Sequence, residues 1–83
     1  MNIDFKKSAF EHKISKADIL YAFMHPYYDG PIEETDNINN RYIRLGFDRA
    51  GNLLEILYNE YEDSICIFHA MKCRSIYLHL LEN

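Results

Sequence analysis

Four histidines stand in this 83-residue chain, and two of them occupy places from which an imidazole could move protons. His12 follows Glu11 and precedes Lys13, just ahead of a helix start, while His69 closes a run of strand-forming residues. Imidazole exchanges protons near neutrality, so either ring is a candidate general acid or base. Cations stand close to both in sequence. The segment His69-Ala70-Met71-Lys72-Cys73-Arg74 passes from an expected strand into an expected helix. Free N–H groups at such a junction favour anions, and Lys72 and Arg74 add positive charge. Arg41, Tyr42 and Arg44 open another expected strand, where alternation puts Tyr42 and Arg44 on one face. An arginine beside a tyrosine can hold a phosphate and stack a base, the usual grip on single-stranded RNA. Ordinary accounts compete at each place: a wet strand face for Tyr42 and Arg44, a hydrogen-bonded structural role for His69. His25 and His79 fit a loop and a helix surface. Glu55 shares a strand face with Leu53 and Leu57, where it could be a base or, more readily, a salt-bridge partner.

Other chemistries find less support. The chain has no GxSxG elbow, Walker loop, HExxH helix or EF-hand loop. Cys66 and Cys73 do not form a CxxC pair, and adding His69 and His79 gives four ligands without the close spacing of structural zinc. Neither a metal nor another cofactor is expected.

Length sets the scale of whatever positions these groups. A chain of 83 residues makes one domain with a thin core. Hydrophobic residues at 48% and charged residues at 27% fit a globular protein. No stretch approaches the roughly 20 apolar residues of a membrane-spanning helix. The opening Met-Asn-Ile-Asp-Phe-Lys-Lys lacks the order of a secretory signal, so cytoplasmic residence without membrane contact is the expectation. The net charge is −4. That sign argues against extended duplex binding, and a DNA-binding regulator is further disfavoured because no helix-turn-helix pattern has a basic second helix. Charge is unevenly spread: Asp29, Glu33, Glu34 and Asp36 crowd one loop, and Arg41, Arg44 and Arg49 follow.

Ser15 and Asp18 resemble a capping box, and Ile14 and Ile19 sit where a hydrophobic staple would. Ala17, Leu20, Tyr21 and Met24 then recur at helical spacing until Pro26. Upstream, residues 6–13 are expected to form a short helix with Ala9 and Phe10 inward, and residues 3–5 a strand edge. Residues 25–40 are rich in turn formers and are expected to be loop. Alternation predicts strands at 41–47, 53–59 and 64–70, with Gly51 in the first connection and the last strand apolar on both faces. A helix is expected over 72–82, with Cys73, Ile76, Tyr77, Leu80 and Leu81 on its inner stripe. The expected fold is therefore α+β: two N-terminal helices, a three-stranded antiparallel meander and a C-terminal helix, with the helices on one face.

His12, Ile14, Phe23 and Pro26 stand in the pattern His-x-Ile-x8-Phe-x2-Pro. With the element order, this resembles the BrnT family of bacterial type II toxins. The family's Lys-His-Gly-Ile segment is matched by Glu11-His12-Lys13-Ile14, and its Arg-x4-Gly strand by Arg41 and Gly46. Ile65, Ile67, Ala70 and Lys72 match its Ile-x-Ile-x-x-Ala-x-Lys strand end. The chain departs from the pattern in lacking the N-terminal Trp-Asp, and in carrying Lys13 for glycine and Met71 for arginine. The resemblance implies a RelE-like fold, ribonuclease activity and neutralisation by a DNA-binding antitoxin. Metal-free RNA cleavage would then assign proton transfer to His12 or His69. Arg41, Arg44 and Lys72 would bear on the phosphate, and Tyr42 and Arg74 would add RNA contacts. The competing expectation is a non-catalytic interaction domain, a decayed toxin relative or small homodimer. Seven tyrosines and five phenylalanines favour it, because aromatic residues are enriched at interfaces.

Overall fold

Ser15 starts the α-helix as its side chain dictates. Its Oγ accepts the backbone N–H of Asp18 at 3.1 Å, and the helix, α1, runs over Lys16–Met24. Asp18 lies in the first turn, where a negative charge meets the positive end of the helix. Pro26 follows the His25 cap and stops it. The computed structural model describes residues 1–32 and 40–82. The elements in chain order are β1 (Asn2–Phe5), a 3-10 turn (Lys7–Phe10), α1, β2 (Pro26–Pro31), β3 (Arg41–Phe47), β4 (Leu53–Glu60), β5 (Ser64–Lys72) and a second 3-10 turn (Ser75–Leu81).

The strands form one mixed sheet in the order β1-β5-β4-β3-β2, with β1 parallel to β5 and the other neighbours antiparallel. Alternation divides its side chains cleanly. Leu54, Ile56, Tyr58, Ile65, Ile67 and Ala70 face α1 and form the core with Ile19, Ala22, Phe23 and Ala9. Ile43, Leu45 and Glu55 are buried on the opposite face. A register shift between Leu57 and Tyr58 makes Phe68 the extra residue of a bulge in β5. Such an insertion re-aims the following side chain, here His69. Beyond Phe5, where β1 ends, residues 6–13 run along the uncovered edge of β5: Lys6 N–H donates to Ile67 O at 2.9 Å, and Ser8 Oγ to Phe68 O at 2.5 Å.

The expected architecture needs correction in four respects. The supposed loop at 25–40 contains β2, paired with β3; an edge strand can carry Pro26 and Pro31 because an outward position needs no N–H donor. Residues 33–39, with the acids Glu33, Glu34 and Asp36, lie outside the described residues. The C-terminal helix is absent: β5 extends to Lys72 opposite Leu54, and a 3-10 turn without one buried residue follows. Ile76, expected inward, is 60% exposed. Short helices without a packed face are marginal, which fits this outcome. The N-terminal helix shrinks to one 3-10 turn, with Ala9 buried but Phe10 exposed. Nor do the helical pieces share a face, since Tyr77 and Leu80 of the last turn border a cavity with Ile43, on the side away from α1. The three-strand meander is thus the middle of a five-stranded sheet.

Gly46 sets how closely α1 approaches that sheet. A Cβ there would strike the backbone carbonyl of Ala22. The neighbour is main chain of a packed helix and cannot yield cheaply. Gly46→Ala should cost about 1–3 kcal/mol from overpacking, a fall in melting temperature of at least about 4 °C for a domain this size. Calorimetry of the two proteins checks it; an unchanged transition would mean that α1 does not sit where described.

Candidate functional site

Glu55 lies in the centre of β4, between Leu45 on β3 and Met71 on β5, and its side chain is 0% exposed. A carboxylate in that position must be saturated with donors, and it is. Oε1 accepts the Arg74 backbone N–H at 2.8 Å and Arg74 Nε at 3.1 Å. Oε2 accepts Arg74 Nη2 at 2.6 Å, Arg74 Nε at 3.1 Å and His69 Nε2 at 2.9 Å. Burial pushes the Glu55 carboxyl up, but the bonds from Arg74 and His69 and the Arg74 charge outweigh it and hold the group below its usual value of 4.5. The same hydrogen bonds raise the Arg74 guanidinium further.

The bulge in β5 brings His69 to this carboxylate. Because the carboxylate accepts at Nε2, that nitrogen carries the proton, and Nδ1 of a neutral ring remains an acceptor. His12 arrives from the chain along the β5 edge. The two rings meet edge to face, with centroids 5.4 Å apart. Lys13, next in sequence, has φ 62, a left-handed conformation that glycine adopts freely and lysine does not. Burial, and then the Glu55 charge, push the Cys73 thiol up, which disfavours its thiolate.

The remaining candidate residues separate by strand alternation. Arg41 lies on the face of Glu55 and His69, its guanidinium over the Phe68 ring at 5.7 Å from the centroid. Tyr42 and Arg44 face α1 instead. Tyr42 stacks on Tyr58, and Arg44 lies over Phe23 at 3.9 Å. Arg44 Nε donates to Asp29 Oδ1 at 3.1 Å and Nη1 to the Phe23 carbonyl at 2.7 Å, while Tyr58 OH donates to the same Asp29 oxygen at 2.6 Å. Burial and the Asp29 carboxylate raise the Tyr58 phenol well above its usual value, so it remains a donor. Arg44 is therefore a structural cation, fixed by a carboxylate. Lys72 stands in the row of Leu54, also on the α1 side and exposed. The structure thus gathers His12, His69, Glu55 and Arg74, keeps Arg41 on their face, and sets Tyr42, Arg44 and Lys72 on the other. Arg74 meets Glu55 rather than standing clear for a phosphate.

What sequence reasoning underweighted is the weight of Glu55. The signal was there: one acid inside Leu53-Leu54-Glu55-Ile56-Leu57, apolar on both sides. The Asp29–Tyr58–Arg44 network had no such signal, because its members are 14 to 29 residues apart. Two cavities lie elsewhere, one of about 370 Å³ bordered by Tyr28, Ile43, Tyr77 and Leu80 and one of about 270 Å³ bordered by Ile3, Phe23, Arg44 and Ile65. The imidazole pair borders neither, and its hydrogen-bond geometry is the better guide to chemistry. Among the described residues no three His, Cys, Asp or Glu side chains converge as metal ligands. The chain matches no model of a known protein family, and no curated protein is similar enough to count as a relative.

A carboxyl whose native pKa is depressed stabilises the fold above its unfolded value and loses that contribution as pH falls through the native one. The Glu55 contribution should therefore be lost as pH falls below about 4.5, and Glu55→Gln should show a shallower slope on that acid side. In Arg74→Ala, burial acts on Glu55 without its main partner and pushes the carboxyl up. Its contribution then reverses sign and is lost as pH rises. Urea titrations at several pH values measure all three slopes; identical slopes would deny Glu55 its charge.

Proposed function

We propose that the protein is a metal-independent endoribonuclease, a toxin of the BrnT-like kind, with His12 and His69 as its proton-transfer pair. The observation that carries this reading is the contact of the two imidazoles, one exposed and the other held by a fully buried carboxylate. The left-handed backbone at Lys13 adds support, since the BrnT pattern has glycine at that position. Glu55 fixes the His69 tautomer, and Arg74 acts through Glu55 as a positioning residue.

In the reaction, His69 Nδ1 takes the proton of a ribose 2′-hydroxyl. The 2′-oxygen attacks the adjacent phosphorus, forming the P–O2′ bond while P–O5′ breaks. His12, protonated, gives its proton to the departing 5′-oxygen. The products are a 2′,3′-cyclic phosphate and a 5′-hydroxyl, with no external reactant. Arg41, on the same face, supplies positive charge to the pentavalent phosphate. Tyr42, Arg44 and Lys72 have no part in this form of the reading. As a toxin it would have a cognate antitoxin as partner and act in the cytoplasm.

The second reading, an interaction domain, draws on exposed aromatics. Tyr27 is 66% and Phe47 44% exposed, and the two rings meet with centroids 6.0 Å apart. Tyr61 is also exposed, whereas Tyr58 is core.

Purified protein with EDTA, incubated with naked RNA and with translating ribosomes, decides between them. Cleavage is expected, with a bell-shaped pH profile, and His12→Ala and His69→Ala should each lower the rate by about 10²–10⁴. No cleavage by folded protein at high concentration would remove the nuclease and leave the interaction domain.

A further inference from the structure

The acidic total of this chain hides one basic segment. Residues 5–16 contain four lysines against Glu11 alone, so the rest of the chain has five cations against twelve acids. In space, this segment is the stretch that leaves β1, follows the β5 edge and delivers His12 to His69. Lys6, Lys7, Lys13 and Lys16 are all exposed, and none forms an ion pair among the described residues. Aromatic rings lie among them. Phe5 and Phe10 stack at 5.5 Å, the Lys16 amine sits 5.1 Å from the Phe5 centroid, and Phe10 is 38% exposed. Phe5 covers one side of the Phe10 ring, and more than a third of Phe10 stays open to solvent between Lys7 and Lys13. A positively charged track with an aromatic ring beside it is how proteins hold unpaired nucleic-acid strands, phosphates on the cations and a base on the ring.

We propose that residues 5–16 form a platform for single-stranded RNA, with Phe10 stacking a base and Lys6, Lys7, Lys13 and Lys16 contacting the flanking phosphates. This deepens the nuclease reading and rests on it, because His12 within the same segment would then meet the phosphate to be cleaved. The platform selects unpaired RNA. A duplex keeps its bases stacked on each other and offers Phe10 no free face.

The test uses the full chain and a fluorescein-labelled 2′-O-methyl oligoribonucleotide, which lacks the attacking hydroxyl, so binding is read apart from cleavage. Anisotropy at several salt concentrations should give a log–log slope of about −3, from four contacts at about 0.7 each. Phe10→Ala should weaken binding by roughly five- to a hundredfold. Lys13→Gly removes one charge and relieves the left-handed backbone, so its melting temperature should stay level or rise while its salt slope shrinks by about 0.7. A stable variant that binds worse cannot be dismissed as unfolded. The same strand in a duplex should bind more weakly.

Unmodified RNA is then assayed for cleavage. Binding that Phe10→Ala and Lys13→Gly leave unchanged overturns the platform even where cleavage persists. Binding lost in both variants without any cleavage supports the platform and overturns the nuclease. Absence of both binding and cleavage overturns both.

Discussion

A single negative charge at the centre of the sheet dictates much of the arrangement around it. Glu55 is withdrawn from water between Leu45 and Met71, and an unpaired carboxylate there would cost several kcal/mol. Its oxygens take donors from one backbone N–H, one guanidinium and one imidazole. The chain beyond β5 is thereby tied down. Arg74 precedes a 3-10 turn that buries no residue, so hydrogen bonds do more than packing to fix where that turn begins. The imidazole is fixed by the same oxygen as Arg74 Nη2. Replacing a buried ion pair with apolar residues of similar volume is often neutral or stabilising. Stability alone is thus a poor reason for an acid in this strand, and a held imidazole is a better one.

The second cationic network has a different character. Arg44 lies over the Phe23 ring, shares Asp29 with the Tyr58 hydroxyl and reaches the Phe23 carbonyl. It closes the side of the core between α1 and the β2 edge. Among the described residues Arg44 is held by Asp29, the Phe23 carbonyl and the Tyr58 hydroxyl, and a phosphate would have to compete with Asp29 for the guanidinium. Two arginines of similar appearance in the sequence therefore do separate work. Arg74 braces a group that could react, whereas Arg44 braces the fold.

Local signals in the sequence were reliable where the physics is local. The Ser15 cap, the Pro26 stop, the Asp48–Asn52 connection with Gly51 at φ 86, and the alternation of 41–47 and 53–59 all follow from near neighbours. The failures concern partners distant in sequence. Residues 2–5 join the sheet only because β5, some 60 residues later, offers its edge, and β2 exists only because β3 does. The expected C-terminal helix had an apolar stripe, but β5 continues through Lys72 into that segment, and the 3-10 turn that follows half-buries Tyr77 and Leu80 while leaving Ile76 exposed. For the candidate site, alternation put Tyr42 and Arg44 on one face of their strand, but only the β3–β4 register, with Arg44 opposite Ile56 and Leu45 opposite Glu55, sets them away from Glu55. The meeting of His12 with His69 was not legible, because it depends on the bulge at Phe68 and on the path of 6–13 along a strand edge.

Net charge says little about the field at one site, and distance explains why. Glu62 and Asp63 precede β5, and Asp63 lies six residues before His69. At about 3.3 Å per strand residue that is roughly 20 Å, more than two screening lengths at physiological salt. A phosphate at the imidazole pair would feel Lys13 and Glu11, which flank His12, far more than Glu62 and Asp63 at the other end of the strand. Glu55 is closer, but Arg74 already faces its carboxylate. A formal charge of −4 thus describes how the molecule behaves as a whole in solution. The field at one edge of its sheet is set by the few side chains within about 8–10 Å of it.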